Sequence, residues 1–470
     1  MCRFLAAICV ALTLVLVPPA YPAAGAGEGD GVVKEAADGC DKYVVLDPDI
    51  VERSEGVSVV LGMIEKEPRN PLFVEDKSWE VRFDNLYANV MFDQAQGLYR
   101  VWYSPFIMDE VTSSTPPDAR EGVPYKPGKR EMGVCYAVSK DGLRWEKPNL
   151  GIVEFDGSTA NNIVMRHVHG SGVFRDPRDP DPERRYKAFL QKGIATSPDG
   201  LHWTGLIPCP EIEAQGDTHN NALWVADAGK YVGITRLWGD GQRIVGRTES
   251  TDYRRWTKAV EVLRGDERWQ TYAMPVFAYA QGYLGLVMVF DTKQDVVDCE
   301  LAWSADTVEW DRIRPGTPLI PRGPVGCFDS HCIYAAAYPV ILPDEIRLYY
   351  GGSNGPHTAW RDGGLGLARL RPDGFAGLRA EGTGAVVTIP VVCSGSRLRV
   401  SADAAVGAIR VAVLGAEGLG ADSCTSLTGN VTDAPVSWGV GHGLGGLRGT
   451  TIQLRFELES ATLYSFSFSD

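Results

Sequence analysis

Short apolar and alternating stretches, bounded by turn residues, make up most of this chain. Segments rich in Val, Tyr, Phe, Ile and Leu come in pairs separated by Gly, Asp or Pro, as in 222–225 with 230–235 and 274–279 with 283–289. Such pairs indicate antiparallel strands joined by tight turns. Because helical periodicity is nearly absent, the pattern predicts an all-β protein.

One pattern, Ser-x-Asp-x-x-x-Trp, recurs through the middle of the chain at a spacing of roughly 55 residues. The copies begin at Ser139, Ser197, Ser250 and Ser304, and a degraded fifth copy lies at 371–375. Ser and Asp side chains of this kind cap the backbone of a turn, and the Trp anchors the returning strand. About four strands for each of five repeats predicts a five-bladed β-propeller, with an irregular array of β-sandwiches as the alternative.

The pattern changes after residue 375, where alternation becomes short and regular, as in 385–389, 409–413 and 452–456. This indicates a small antiparallel β-sandwich over 376–470. We therefore predict a catalytic propeller over 79–375 followed by a C-terminal β-sandwich. Residues 27–78 are expected to be a lead-in that wraps the propeller.

The first 26 residues have the pattern of a signal peptide. Arg3 precedes an apolar run over 4–17, and prolines and small residues follow it. The run is shorter than the ~20 residues of a membrane-spanning helix, which disfavours an uncleaved anchor. We expect a secreted or periplasmic protein that has no membrane association once the signal is removed.

Composition narrows the classes of partner. The net charge of −14 disfavours binding to nucleic acid or to anionic membranes, whereas neutral sugars are compatible with it. A polyanionic substrate would need a local basic patch. No Cys or His spacing indicates zinc, nothing indicates an organic cofactor, and a structural calcium has no support, so we expect no metal and no cofactor. Cys393 and Cys424 are a possible disulfide pair in an exported chain, and buried free thiols are the alternative.

Acidic residues stand at the starts of the predicted blades. In a propeller the first strand of each blade faces the axis, so Asp84, Asp176, Asp217 and Asp329 are expected to meet in one funnel. Paired carboxyl groups cleave glycosidic bonds, and crowding raises the pKa of one of them. The alternative is that each Asp caps a turn. Their positions in the predicted blades indicate further residues that could bind sugar: Trp79, Arg82, His219, Trp269, Tyr272, His331 and His357. Trp269 and Tyr272 could instead fill the core.

The segment Phe174-Arg175-Asp176-Pro177 resembles the Arg-Asp-Pro motif of invertase- and levanase-type glycoside hydrolases. That family joins a five-bladed propeller to a β-sandwich. The resemblance implies that Asp176 stabilises the transition state, that Arg175 contacts substrate hydroxyls, and that Asp84 on the first strand is the nucleophile.

The chain departs from this family at two motifs. The Trp-x-Asn-Asp-Pro-Asn motif is absent around Asp84, and the acidic Glu-Cys pair of the third blade is replaced by Gly216-Asp217. Asp217, or Glu211 or Glu213 before it, would therefore have to serve as the acid.

Over 43–470 the chain also resembles invertase-like secreted proteins of polysaccharide-degrading bacteria, related to the arabinanase-like enzymes, in segments such as 272–277 and 349–352. We predict a secreted glycoside hydrolase acting on an oligo- or polysaccharide, with a fructoside or arabinoside as examples. Three alternatives stay open: a glycan phosphorylase on the same scaffold, a non-catalytic glycan-binding propeller, and a sialidase, whose Asp-boxes resemble the repeat but whose fold has six blades.

Overall fold

The computed structural model describes residues 42–440 and 442–470, and these residues are folded almost entirely into β-strands. The predicted signal peptide, 1–26, lies outside the described residues. Helix within the described ranges is limited to α1 (Glu110–Ser114) and short 3-10 turns. None of these helices has the length and apolar character that a membrane crossing requires. The predicted all-β class is confirmed.

Four short strands come before the first of the large sheets. They are β1 (Lys42–Val44), β2 (Val51–Glu55), β3 (Ser58–Leu61) and β4 (Glu65–Lys66). They do not pair with one another. The first three join the C-terminal sheet, and the fourth joins sheet five, both described below. This part of the lead-in therefore connects the C-terminal sheet to sheet five.

Three antiparallel sheets follow in chain order. Sheet one contains β5 (Asn89–Asp93), β6 (Leu98–Tyr103), β7 (Phe106–Asp109), β8 (Arg130–Ser139) and β9 (Ile163–Arg166). Sheet two contains β10 (Gly172–Arg175), β11 (Tyr186–Leu190), β12 (Gly193–Ser197) and β13 (Ile207–Pro208). Sheet three contains β14 (Asn221–Val225), β15 (Lys230–Gly239), β16 (Gln242–Ser250) and β17 (Val260–Arg264).

Two further sheets continue the series. Sheet four contains β18 (Trp269–Ala273), β19 (Val276–Tyr279), β20 (Gly282–Asp291), β21 (Val296–Ser304) and β22 (Asp311–Ile313). Sheet five contains β23 (Cys332–Ala335), β24 (Val340–Ile341), β25 (Ile346–Ser353) and β26 (Gly363–Leu370). One parallel pair, Val297 with Cys332, joins them, and β4 adds an outer strand to β26.

The C-terminal sheet is completed by strands from the start of the chain. Its own strands are β27 (Ala376–Thr388), β29 (Arg397–Val413), β30 (Leu427–Pro435) and β32 (Leu454–Ser469), and a separate two-stranded ladder pairs β28 (Val391–Val392) with β31 (Thr451–Ile452). The strand order is β2-β27-β32-β29-β30, with β1 on β32 and β3 on β27. Register shifts in β27 and β29 allow these long strands to bend around a core that includes Trp438 and Phe456.

The repeated Ser-x-Asp turns have the same geometry in each copy. In the first, the backbone N–H of Gly142 donates to Ser139 Oγ at 2.8 Å, and those of Leu143 and Arg144 donate to Asp141 Oδ1 at 2.8 Å. Asp199, Asp252 and Asp306 accept backbone N–H groups in the same way. The predicted capping role of these residues is confirmed.

The first strands of the five sheets contact one another in chain order. Asn89 bonds to the backbone of 171 and 173, which links sheets one and two, and Asn220 N donates to Gly170 O to link sheets two and three. Asn221 exchanges two hydrogen bonds with Val276 in sheet four. Ala337 N of sheet five donates to Ala88 O at 3.0 Å, so the last sheet returns to the first.

The cysteines that the structure describes are all free thiols. Cys393 and Cys424 are both buried and do not form the disulfide that the sequence permitted.

Candidate functional site

Polar side chains from all five sheets meet in one cluster at the end where the first strands begin. We call this set the central cluster, and its members are Arg82, Asp84, Asn85, Tyr87, His169, Asp217, Arg236, Arg243, Tyr272, Tyr334, His357 and Arg361. Hydrogen bonds, ion pairs and ring contacts connect these residues to one another. The ring-like succession of sheets brings them together from positions as far apart in the chain as 82 and 361.

Asp84 is the most strongly paired carboxylate of the cluster. Arg361 Nη2 donates to its Oδ1 at 2.6 Å, and Arg82 Nη2 lies 3.5 Å from the same oxygen. Burial raises the pKa of Asp84, but the charges of Arg361 and Arg82 outweigh that effect and hold it well below its usual range. Asp84 is therefore an ionised carboxylate near neutral pH.

Arg361 connects Asp84 to an aromatic and imidazole group. It donates to Asn85 Oδ1 at 2.9 Å and to Tyr334 OH at 3.0 Å, and it lies 3.2 Å from His357 Nδ1. Burial first, and then the charge of Arg361, lower the pKa of His357 well below its ordinary value. His357 is thus a neutral imidazole, with one donor nitrogen and one acceptor nitrogen.

Asp217 is the exposed carboxylate of the cluster. Its side chain is 56% exposed, with Arg236 Nη2 at 2.9 Å from one oxygen and His169 Nε2 at 3.3 Å from the other. Burial lowers the pKa of His169, whereas Asp217 and Asp84 both raise it. Both carboxylates therefore act on the same imidazole, which places Asp84 and Asp217 in one electrostatic environment.

Arg236, which is buried, and Arg243, which is half-buried, add buried nitrogen donors without partners to the cluster. The Nε and Nη1 atoms of Arg236 and the Nε atom of Arg243 have no hydrogen-bond partner among the described residues. The guanidinium groups lie 5.0 and 5.4 Å from the ring centroid of Tyr272. Unpaired buried donors are costly, so this part of the cluster is suited to an oxygen-rich or anionic ligand.

Glu75 stands beside Asp84 in a different environment. Phe83 N, one residue before Asp84, donates to Glu75 Oε1 at 2.6 Å. Burial raises the pKa of Glu75 to about 7, although the backbone N–H groups of Phe83 and Gly363 oppose the shift. Near neutral pH this carboxyl group holds a proton for a large part of the time.

Two clefts are lined in part by residues of the central cluster. The first, of about 410 Å³, is lined by Glu75, Arg82, Trp360 and Arg361 among others, and we call it the Glu75 cleft. The second, of about 420 Å³, we call the His169 cleft. Its lining residues are Phe106, Met108, Lys129, Arg130, Glu131, Met132, His167, Val168, His169, Leu190, Gln191, Lys192 and Leu206. Ligands are expected in clefts of this size beside convergent polar groups.

The structure brings together some of the residues nominated from sequence. Asp84, Asp217, Arg82, Tyr272 and His357 all belong to the central cluster. His219 lies directly behind it, with its ring centroid 5.3 Å from that of Tyr87 and its nitrogens 3.3 Å from Ala335 O and Asn89 Oδ1. Burial lowers the pKa of His219 to about 4, so this residue is a neutral tie between sheets.

Asp176 is not brought into the central cluster. It follows β10, whereas His169 of the same sheet, Asp84 of sheet one and Asp217 of sheet three precede their first strands. A four-residue strand spans about 13 Å. At that far end Asp176 is buried, with Lys187 Nζ at 3.0 Å and a hydrogen bond from Tyr231 OH. Asp176 thus contacts Lys187 of sheet two and Tyr231 of sheet three.

The remaining nominated residues also have other surroundings. Asp329 pairs with Lys66 of β4 and accepts from Tyr350 OH, and Trp79 Nε1 donates to Asn162 at 2.7 Å. Trp269 is exposed and stacks on Arg268, and Arg175 is exposed at the end of β10. His331 lies beside Ser330 Oγ. Among the described contacts, none joins the side chains of Trp269, Arg175 or His331 to the central cluster.

Several residues of the site were not predicted from the sequence. Tyr87 and His169 precede first strands, as Asp84 and Asp217 do. Aligning the repeats at the starts of their first strands could therefore have predicted both residues. Arg361 comes from the loop between β25 and β26, and the partial burial of Glu75 depends on that same loop. No local pattern marks either position.

Comparison with known proteins gives structural likeness only. No protein-family model matches the chain, and no curated protein matches it. Among solved structures, a β-1,2-mannobiose phosphorylase from Listeria innocua has 14% identity and a TM-score of 0.45, covering 66% of this chain and 96% of its own.

Two further solved structures are similar to the same degree or less. A glycosyl hydrolase from Bacteroides ovatus has 15% identity and a TM-score of 0.42, covering 66% of this chain and 94% of its own. An N-acetylgalactosamine deacetylase from F. plautii has 14% identity and a TM-score of 0.33, covering 72% and 95%. Likeness at this level assigns no activity.

Proposed function

We propose that residues 79–375 form a five-bladed β-propeller whose funnel is the active site of an enzyme that cleaves glycosidic bonds. The support for the propeller is the succession of five sheets and the contact of the last with the first through Ala337 and Ala88. We further propose that 376–470, together with β1 to β3, is a β-sandwich that braces it.

The observation that carries the proposed activity is that Asp84 and Glu75 have opposite protonation tendencies and that the two arginines bound to Asp84 line the Glu75 cleft. Asp84 is held ionised by Arg361 and Arg82, and Glu75 has a pKa of about 7. Arg82 and Arg361 line the same cleft as Glu75. Groups whose environments push their pKa values apart are the signature of an acid and base pair, and glycoside cleavage needs one of each.

The proposed reaction gives each group one role. Glu75 donates its proton to the leaving glycosidic oxygen as the bond from that oxygen to the anomeric carbon breaks. Asp84 either attacks the anomeric carbon or removes a proton from the attacking water. Asp217, held by Arg236 and His169, binds sugar hydroxyls.

A second candidate reaction is phosphorolysis, which the unpaired donors of Arg236 and Arg243 favour. Guanidinium groups bind phosphate through parallel hydrogen bonds. In that case a phosphate oxygen replaces water as the attacking atom and the product is a sugar 1-phosphate. The two reactions are separated by assaying the same oligosaccharides with and without inorganic phosphate.

The experiment measures cleavage of an oligosaccharide panel, and of aryl glycosides with acidic leaving groups, by Asp84→Asn, Asp217→Asn and Glu75→Gln. We expect Asp84→Asn to lose activity on both substrate types. Glu75→Gln should lose about 10²–10⁴-fold on oligosaccharides. It should keep most activity on the aryl glycosides, whose leaving groups need no proton.

The matched control is Asp227→Asn, an exposed carboxylate in the turn between β14 and β15, and it should cleave at the wild-type rate. Wild-type rates for Asp84→Asn would end the site assignment. Binding of oligosaccharides by the wild type with no turnover under either condition would favour a non-catalytic glycan-binding propeller.

A further inference from the structure

The His169 cleft carries a charge opposite to that of the whole chain. The formal net charge of the protein is −14. Lys129, Arg130 and Lys192 nevertheless line this one cleft, and none of them forms an ion pair with a carboxylate of the described residues. Three unneutralised cations in one cleft of an acidic protein form a local field that attracts anions.

The one carboxylate that lines the cleft is neutralised. Arg166 donates to both oxygens of Glu131, at 2.8 and 3.0 Å, and His167 lies 3.3 Å from the first. Burial raises the pKa of Glu131, but Arg166 outweighs it and the pKa is lowered. Glu131 is thus ionised and internally compensated, so it does not cancel the three cations.

The cleft is continuous with the central cluster. His169 belongs to both, because it lines the cleft and its Nε2 lies 3.3 Å from Asp217. The charge of Arg130 contributes to lowering the pKa of His169, which places the arginine near this junction. A saccharide bound at Asp217 would therefore extend past His169 toward Arg130.

The lining also has the amphipathic character that binds sugar rings. The guanidinium of Arg130 lies over the ring of Phe106 at 4.7 Å, which orients it. Met132 and Leu190 contribute apolar surface between the charged groups. Apolar walls with a few placed charges are the usual composition of a specific ligand site.

We propose that the His169 cleft is a subsite for an anionic sugar, one that carries a carboxylate or a sulfate ester. The carboxylate or sulfate of the sugar accepts charge-assisted hydrogen bonds from Arg130 and Lys192, and Lys129 adds to the positive electrostatic field of the cleft. This inference rests on the proposed function for the position of the scissile sugar at Asp84, and it names the substrate class of that enzyme as acidic glycans.

The test measures binding by calorimetry to the catalytically disabled Asp84→Asn protein, so that no substrate is consumed. The probes are uronic-acid oligosaccharides, the same oligosaccharides after reduction of their carboxyl groups to alcohols, and sulfated oligosaccharides. We expect carboxyl reduction, or removal of sulfate, to weaken binding about tenfold or more. The uronate and sulfate arms show which anion the cleft accepts.

The variants assign the effect to the cleft. On that background, Arg130→Gln and Lys192→Gln should each weaken binding of the acidic oligosaccharide about five- to tenfold and leave its reduced counterpart unchanged. Lys140→Gln, an exposed lysine in a turn of sheet one, is the control and should change neither. If a Gln variant melts below the parent, Lys192→Arg, which keeps the charge, should retain affinity.

Two results would overturn the subsite. One is equal affinity for the acidic and neutral forms, and the other is an equal loss for both forms in Arg130→Gln and Lys192→Gln. Neither depends on turnover, so each is distinguishable from failure of the proposed function, which is read from the rate of Asp84→Asn in the cleavage assay.

Discussion

Glu75 and Asp84 have the same functional group and opposite behaviour. Asp84 has two guanidinium groups within 3.5 Å, whereas Glu75 has backbone N–H donors and no ion pair with any described residue, and Asp362 repels its charge. Burial affects both, but only Asp84 has cations that outweigh it. The chemistry proposed for the site depends on this difference.

Glu75 makes stability fall as pH rises from about 4.5 to about 7. Its pKa is raised from 4.5 to about 7 in the folded protein, so the unfolded chain loses the proton first and unfolding becomes easier through this window. The effect is at most about 3 kcal/mol. Chemical denaturation should show wild type losing about 1–3 kcal/mol more than Glu75→Gln between pH 4.5 and pH 8.

The control for this pH effect is Glu417→Gln, at an exposed position, which should follow the wild-type pH dependence. Identical pH dependence for wild type and Glu75→Gln would show that Glu75 titrates normally and would remove it as the proton donor. In the cleavage assay the wild-type rate on oligosaccharides should fall above pH ~7, since the donor is then ionised.

At the scale of elements, each repeated turn is stabilised by hydrogen bonds among its own residues. Asp141 accepts two backbone N–H groups within three residues, and the N–H of Arg144 is the largest influence that lowers its pKa to about 2. Because every partner is local in sequence, the four copies fold alike in four different sheets. This locality is the reason that the turns could be predicted from the sequence.

Loss of one such turn should cost a small, measurable part of the stability. Asp141→Ala removes two charge-assisted hydrogen bonds and should lower the free energy of unfolding by about 1–2 kcal/mol. Asp141→Asn keeps the acceptor oxygen and should lose less than half of that. Lys140→Ala, the exposed neighbour, should be neutral in the same urea titration; a loss equal to that of Asp141→Ala would contradict the capping role.

At the scale of the whole molecule, Asp373 joins the C-terminal sheet to sheet four. Its buried carboxylate accepts hydrogen bonds from Lys42 Nζ, Ser401 Oγ and Ser465 Oγ on one side and from Tyr279 OH on the other, all within 2.8 Å. Burial raises its pKa, but the charge of Lys42 outweighs this and holds the pKa below its usual value. The ion pair therefore connects strands from both ends of the chain to the sheets between them.

Asp373→Ala should destabilise the molecule by about 2–4 kcal/mol, because it removes the acceptor of four hydrogen bonds at a buried position, whereas Lys42 keeps its ion pair with Asp433. Since the contact lies between two parts of the fold, calorimetry should show one unfolding transition in the wild type and two in the variant. Asp422→Ala, an exposed change within the C-terminal part, should keep the single transition. A single, unshifted transition in Asp373→Ala would show that the two parts are coupled by other contacts.

The sequence by itself determined what depends on neighbours along the chain. Alternation predicted the all-β class, and Ser-x-Asp predicted the turns, because strand pairs and capped turns are satisfied by residues a few positions apart. It also indicated Asp84 and Asp217, which both precede first strands. It could not separate them from Asp176, whose position at the far end of β10 becomes apparent only when the strand has a length and a direction.

The tertiary structure alone decided the charge environment of the proposed site. Arg361 reaches Asp84 across 277 positions of the chain, and the pKa of Glu75 depends on burial by a loop of sheet five. The same holds for the basic lining of the His169 cleft, which takes cations from two sheets in a chain that is acidic overall. Charge pairing and desolvation are set by distances in space, and no spacing along the sequence records them.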